Sequence, residues 1–212
     1  MGPALAKHHA SGDIIVVRYA DDIVMGFENR EEAERFLREW KDRLQKFGLE
    51  LHPDKTRLIE FGRNAAGNRR KAGDGKPETF DFLGFTHISA QTRKTGRYIV
   101  KRKTICKRLS AKLRELKEEL RRRWHQPVAG VGRWLRSVVQ GYFNYHAVPG
   151  NLDSLKSFRH QVVWRWLRAL RRRSQRNRMT WARFRPLLIR WIPTARILHP
   201  HPNVRFDAMH PR

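Results

Sequence analysis

The sequence predicts an α+β protein: a β-hairpin, a helix and several short strands, then a basic helical bundle. Three observations predict it. Two runs rich in Ile and Val, 14–19 and 23–27, flank a short polar turn. From about residue 103 the apolar residues recur at helical spacing instead. The charge changes with the pattern: residues 1–100 hold 18 Lys+Arg against 15 Asp+Glu, a net of +3, and residues 101–212 hold 28 against 5, a net of +23. These divide the chain into 1–100, an ordinary mixed-charge domain, and 101–212, a helical binding surface.

In chain order, 14–19 and 23–27 are too short for buried helices and read as strands, with Ala20, Asp21 and Asp22 in a tight connection. Their nearly continuous apolar character calls for cover on both faces. Asn29 opens a helix, with Glu32 placed as in a capping box. Ala33, Phe36, Leu37, Trp40, Leu44 and Phe47 form its apolar stripe, and Gly48 is its stop. The turn HPDKT (52–56) leads to an expected strand, RLIEF (57–61). Residues 62–77, rich in Gly, Asn and Lys, read as an exposed loop. ETFDFLGFTHIS (78–89) reads as one extended aromatic stretch, and QTRKTGRYIV (91–100) as a hairpin turning at Thr95-Gly96.

The helical half shows four stripes. The first is Ile105, Leu109, Leu113, Leu116 and Leu120. The second runs from Val131 through Leu135 and Val139 to Phe143, the third from Leu152 through Phe158 and Trp166 to Leu170. Trp181, Phe184, Leu188 and Trp191 make a shorter fourth. Pro127, Pro149-Gly150 and Pro193 mark the boundaries.

Composition excludes several classes. With 40% apolar and 10% aromatic residues the chain can bury a core and is not a disordered polycation. A folded chain of net charge +26 needs a polyanionic partner, nucleic acid first and an anionic membrane second. The single cysteine, Cys106, rules out an internal disulfide framework and a Cys-rich zinc site, and it suits a reducing cytoplasm. The N-terminus lacks the apolar core of a signal peptide. No window approaches the 18 or so apolar residues of a membrane span.

The chemistry concentrates in the string Tyr19-Ala20-Asp21-Asp22. Adjacent carboxylates repel each other, and local structure does not need them. A hard dication does: Mg²⁺ takes carboxylate oxygens together with substrate phosphates. Two such ions about 4 Å apart activate a hydroxyl nucleophile and stabilise a leaving pyrophosphate. Side chains alternate along a strand, so only a turn lets both carboxylates approach one site. A bare Asp-Asp is better read as a solvated turn. The four-residue string arises by chance in roughly one chain of this size per thousand.

With its flanks, "VVRYADDIVMGF" resembles the metal-binding motif of reverse-transcriptase palms. "REEAERFLREWKDRLQKFGLELHPDKT", "FDFLGF", "GYFNYH" and the tail "RILHPHPNVRF" are similar to segments of the bacterial group II intron reverse transcriptases, or maturases. The likeness extends over nearly the whole chain from about residue 11. It implies a partial palm followed by a thumb and a maturase (X) domain. It also implies RNA-directed DNA polymerase and intron-splicing activity, and a bacterial cytoplasm. Asp21 and Asp22 then match the catalytic metal-binding aspartates. Tyr19 and Ala20 match residues that place them beside primer and template, and Phe82, Leu83 and Gly84 match the primer grip. Lys55 falls where polymerases often carry a lysine near the triphosphate, although a solvated turn lysine is the better reading. The implied partners are group II intron RNA and a template–primer, with no membrane.

The departure from that pattern is large. A reverse-transcriptase palm needs a third aspartate from an earlier strand, and fingers that hold the incoming nucleotide. Only Asp13 precedes Tyr19 among the carboxylates, and it lies in the run-up to the same strand. The chain therefore reads as a C-terminal part of a larger enzyme. By itself it is expected not to polymerise, and it is expected to hold Mg²⁺ only when the rest of the palm is supplied, by the missing N-terminal half as partner.

In the helical half, phosphate contacts are expected from Arg121, Arg122, Arg123, Arg171, Arg172, Arg173, Arg176 and Arg178. The bland alternative is a set of solvated basic helix faces. Tyr142, Tyr145 and His146 either stack on bases or sit in the core, with core favoured for Tyr142 and for the seven Trp. His199 and His201 lack the third ligand of a metal site. Three other readings compete: an RNA-binding, maturase-like splicing cofactor without catalysis, another reverse-transcriptase lineage, and a generic basic DNA-binding protein.

Overall fold

The computed structural model describes residues 12–173, 179–202 and 204. It is α+β as expected, with two small antiparallel sheets and, among the described residues, six helices. The chain forms two compact units, Met1–Glu60 and Phe61–Arg212.

In the first unit β1 (Ile14–Tyr19) pairs with β2 (Asp22–Phe27), in register from Ile14 opposite Phe27 to Tyr19 opposite Asp22. The loop is the two residues Ala20-Asp21, and Asp22 already belongs to β2 rather than to the turn. Helix α1 (Arg30–Gln45) covers one sheet face. Phe36 meets Phe27 at 5.3 Å between ring centroids and Trp40 at the same distance, so the apolar stripe does pack on the strand. Cover on both faces is not found. Ile15, Val17 and Tyr19 share the opposite face by alternation, and Ile15 and Tyr19 are 67% and 63% exposed. Ala33 is the one apolar side chain buried in this unit among the described residues.

Two local expectations also change here. Asn29 does not cap α1 with its side chain; its amide donates to Glu32 Oε1 at 3.3 Å instead. Phe47 lies beyond the helix end and is exposed, while Gly48 turns the chain at φ +67°.

The second unit opens without the expected strand at 57–61, which is irregular. The expected loop at 62–77 contains helix α2 (Ala65–Lys71), with Ala65 buried and three basic residues in its last turn. Those cations complement the helix dipole, and the alanines favour helix over the turn signals of Asn64 and Gly67. The stretch 78–89 is not one extended segment but a hairpin of β3 (Thr79–Phe82) and β4 (Phe85–Gln91), turning at Leu83-Gly84. Strand β5 (Tyr98–Thr104) completes the sheet in the order β3-β4-β5, and its hairpin turns through Gly96 as expected.

Four helices follow: α3 (Cys106–Arg122), α4 (Val128–His146), α5 (Leu152–Arg172) and α6 (Trp181–Trp191). Their stripes interlock into one core containing Leu116, Leu135, Val139, Phe143, Phe158, Trp166 and Phe184, all nearly or fully buried. Pro127 stands at the N-cap of α4, and Pro193 follows the end of α6, as the punctuation predicts. Compactness places the three-stranded sheet with the helices, so the boundary at 100/101 is one of charge and composition.

The sheet is pinned to the helices by one buried polar knot. Asn151, 1% exposed, accepts from Thr104 N at 3.0 Å and donates to Thr104 Oγ1 and His146 O, both at 2.8 Å. No helix among the described residues is long and apolar enough to cross a membrane.

Candidate metal-binding turn and nucleic-acid interface

A two-residue hairpin loop must match the right-handed twist of its strands, which needs positive φ at its first central residue. Glycine normally supplies it. Here Ala20 does, at φ +53°. The only other non-glycine residue with positive φ among the described residues is Leu83, at +47°. Such a backbone costs about 1–3 kcal/mol. Both strained residues lie in segments singled out from the sequence: Ala20 between Tyr19 and Asp21, Leu83 between Phe82 and Gly84.

Three features define the first turn. Arg18 Nε donates to Ala20 O at 3.0 Å and holds the loop shut. Asp22 shares the exposed sheet face with Tyr19, which it directly opposes, and Asp21 stands in the turn itself. Both carboxylates are exposed, and neither makes an ion pair among the described residues. Two adjacent unpaired carboxylates fit Mg²⁺, which commonly takes one or two from protein and the rest of its oxygens from water and phosphates. No group of three His, Cys, Asp or Glu that could hold a metal occurs among the described residues. Lys55 is exposed in its own turn, its backbone N–H donating to His52 O at 3.2 Å.

The second turn has a different setting. Leu83 and Gly84 both take positive φ, as a type I′ turn requires. Tyr145 Oη donates to Leu83 O at 2.8 Å, and Ile105 N donates to Gly84 O at 3.2 Å. A Cβ on Gly84 would lie 3.2 Å from Arg108 Nη1 and 3.5 Å from Tyr145 Cε1. The close approach that Gly84 permits here is to those side chains. Phe85 is buried and stacks on Tyr145 at 5.8 Å; Phe82 is half-buried beside His87. The segments 82–85 and 141–146, separate in sequence, thus meet.

Within 141–146 the three rings take different roles. Tyr142 is buried and stacks on Phe158, whereas Tyr145 is exposed. His146 is half-buried, and burial first, then the Arg108 charge, lower its pKa to about 4, so it is neutral at pH 7. In the tail, His199 Nε2 donates to Asn144 O at 2.6 Å, and the backbone N–H groups of Leu198 and His199 donate to Ala147 O. These bonds tie 198–199 to the end of α4.

The arginines named from the sequence divide sharply. Arg122 and Arg123 both pair with Glu119, at 2.8 and 3.3 Å, and Arg123 also lies 4.7 Å from the Trp134 ring. Arg171 Nε donates to Met179 O at 3.1 Å, and Arg173 donates to the carbonyls of Arg123 and Gln126. Arg121 and Arg172 instead line a groove of about 430 Å³ between α3 and α5. Arg176 and Arg178 lie outside the described residues. The groove also gathers Lys117, Arg165 and Arg168, none of which lies in a run of adjacent arginines. Arg168 belongs to a stripe in the sequence: His160, Trp164, Arg168 and Arg172 recur every fourth residue along α5.

Residues 1–87 match the family model described as reverse transcriptase (RNA-dependent DNA polymerase). The match supports a reverse-transcriptase-family segment that includes both strained turns. No curated protein matches the chain.

Proposed function

We propose that this chain serves RNA-directed DNA synthesis as part of an intron-encoded reverse transcriptase and maturase. The first unit would contribute metal-binding carboxylates and the basic helical region would hold RNA. One observation carries the reading: the unpaired Asp21-Asp22 pair on a strained, Arg18-clamped turn, inside the span matched by the reverse-transcriptase family. Structural economy does not explain it, because a glycine would fit the turn better and a single carboxylate would repel less. Asp21 and Asp22 would hold Mg²⁺, which when bound activates a primer hydroxyl and steadies a departing pyrophosphate. The chain's own work is to fix the two carboxylates at the hairpin tip and to present Tyr19 on the same sheet face as Asp22. The intron as partner rests on the resemblance of 141–146 and of the 196–206 tail, together with the +23 charge of residues 101–212.

A second reading is an RNA-binding splicing cofactor without nucleotide chemistry. It is favoured by the metal turn supplying two carboxylates and no third ligand among the described residues. The Asp21→Ala/Asp22→Ala variant separates the two. With the N-terminal half of the palm supplied, primer extension by the unaltered chain that the variant loses, RNA binding being retained, supports the polymerase. Splicing assistance that survives both substitutions, with no primer extension under any condition, selects the cofactor.

A further inference from the structure

The groove between α3 and α5 is lined by five cations and no carboxylate: Lys117, Arg121, Arg165, Arg168 and Arg172. Among the described residues none of the five makes an ion pair, and the acidic partners on α3, Glu115 and Glu119, serve Lys112, Arg122 and Arg123. Arg165 is fixed in place by donating from Nη1 to the backbone and side-chain oxygens of Gln161. Its Nε is buried and has no hydrogen-bond partner among the described residues. Burial, then the charge of Arg168, both lower its pKa, a cost that an anion in the groove would relieve.

Cations alone would suit any polyanion. The aromatics narrow the choice. Trp164 lines the same groove and is 42% exposed, although most large apolar side chains of this unit are in the core. Its indole is steadied by an edge contact with His160 at 6.0 Å and an offset stack on Trp181 at 6.2 Å. Trp124 lines the α3 side. An exposed, braced indole among arginines is the arrangement that stacks a base while its phosphates are neutralised. An acidic peptide offers nothing to the indole. A membrane surface needs a convex apolar face rather than a concavity. The groove volume is that of a small-ligand site, which suits a nucleotide and is too small for a duplex.

We propose that this groove is a subsite for an unpaired nucleotide of RNA, its base stacked on Trp164 and its flanking phosphates on Arg121, Arg168 and Arg172. The inference rests on the RNA-holding role given above to the helical region, and it adds which form of RNA is taken there and by which residues.

Fluorescence anisotropy of the full chain tests it with two labelled probes of equal phosphate number, a single-stranded oligouridylate and a duplex RNA. Trp164→Ala is expected to weaken the single strand about tenfold and leave the duplex within about twofold. Trp164→Phe should restore most of the loss. Arg168→Gln should weaken the single strand and make its salt slope shallower by about one. Equal effects of Trp164→Ala on both probes, or no effect on either, would overturn the subsite while leaving RNA binding standing. A chain that binds neither probe overturns the parent reading as well. Photocrosslinking of a thiouridine-substituted oligonucleotide to the unaltered chain needs no variant to fold. Crosslinks in 160–172 or 117–124 support the subsite; crosslinks confined elsewhere, or displacement of the probe by polyglutamate or anionic vesicles at equal charge, sink it.

Discussion

The two compact units solve the burial problem differently. In residues 12–60 a two-stranded sheet has one face under α1 and the other in solvent, with Ala33 alone buried among its apolar residues. In the second unit four helices share a continuous core whose largest side chains, Trp166 and Phe158 among them, are fully buried. A two-stranded hairpin is marginal without a third strand or a packed helix, whereas the helical core has the interdigitation that makes each side chain costly to remove. The difference teaches where each function can sit. A strained, exposed pair of carboxylates is tolerated on the lightly built unit, and a long array of like charges is tolerated on the heavily built one, where apolar burial offsets its repulsion.

The comparison can be broken most directly by truncating one aromatic in each unit. Phe158→Ala should cost about 3–5 kcal/mol in chemical denaturation of the second unit, and Phe36→Ala, half-buried on α1, less than half of that; equal costs would erase the contrast. Asn151→Ala removes the only partner of a buried backbone N–H at Thr104 among the described residues and should cost about 1–3 kcal/mol by the same assay. The strained turns should respond with opposite signs. Ala20→Gly should stabilise the first unit by about 1 kcal/mol, and Gly84→Ala should destabilise the second by about 1–3 kcal/mol, each read from its unfolding midpoint.

Acid sharpens the contrast further. His146 and His87 are held neutral by burial, so their folded pKa values lie below the unfolded value of about 6.5. The unfolded chain binds more protons in that window. Their contribution is therefore complete above pH 6.5 and lost as pH falls toward about 4 for His146. The urea midpoint of the second unit should drop between pH 7 and 5, and His146→Gln should flatten that drop. The smallest expected effect is that of Ile15→Lys, within about 0.5 kcal/mol because the side chain is already exposed. Light scattering should nevertheless show less self-association, as an apolar face becomes charged.

Much of the fold was legible because it is periodic. The stripes of α3 to α6 and the short apolar runs at 14–19 and 23–27 fix those elements without tertiary information. The errors fall where local signals compete. RLIEF has strand composition, yet it remains irregular. Asn64 and Gly67 mark a loop, yet the two alanines between them and the arginines that follow make a helix. Leu83 hid a turn, because a leucine at positive φ is not a turn signal. The Asp21-Asp22 pair stands out in the sequence because nothing structural asks for it. The groove does not, because runs of adjacent arginines are conspicuous while its lining is spaced along two helices. Adjacency on a helix points side chains apart, and so Arg122, Arg123, Arg171 and Arg173 turn to internal partners while Arg121 and Arg172 face the groove.

The most direct test of this division of labour is the affinity of the 212-residue chain for a folded RNA as salt is raised from about 50 to 200 mM. Tight binding is predicted, with log affinity falling steeply and linearly against log salt. The slope should be unchanged by Asp21→Ala/Asp22→Ala and shallower in Arg121→Gln/Arg172→Gln. Weak, salt-independent binding, or a slope that depends on the aspartates and not on the arginines, would contradict it.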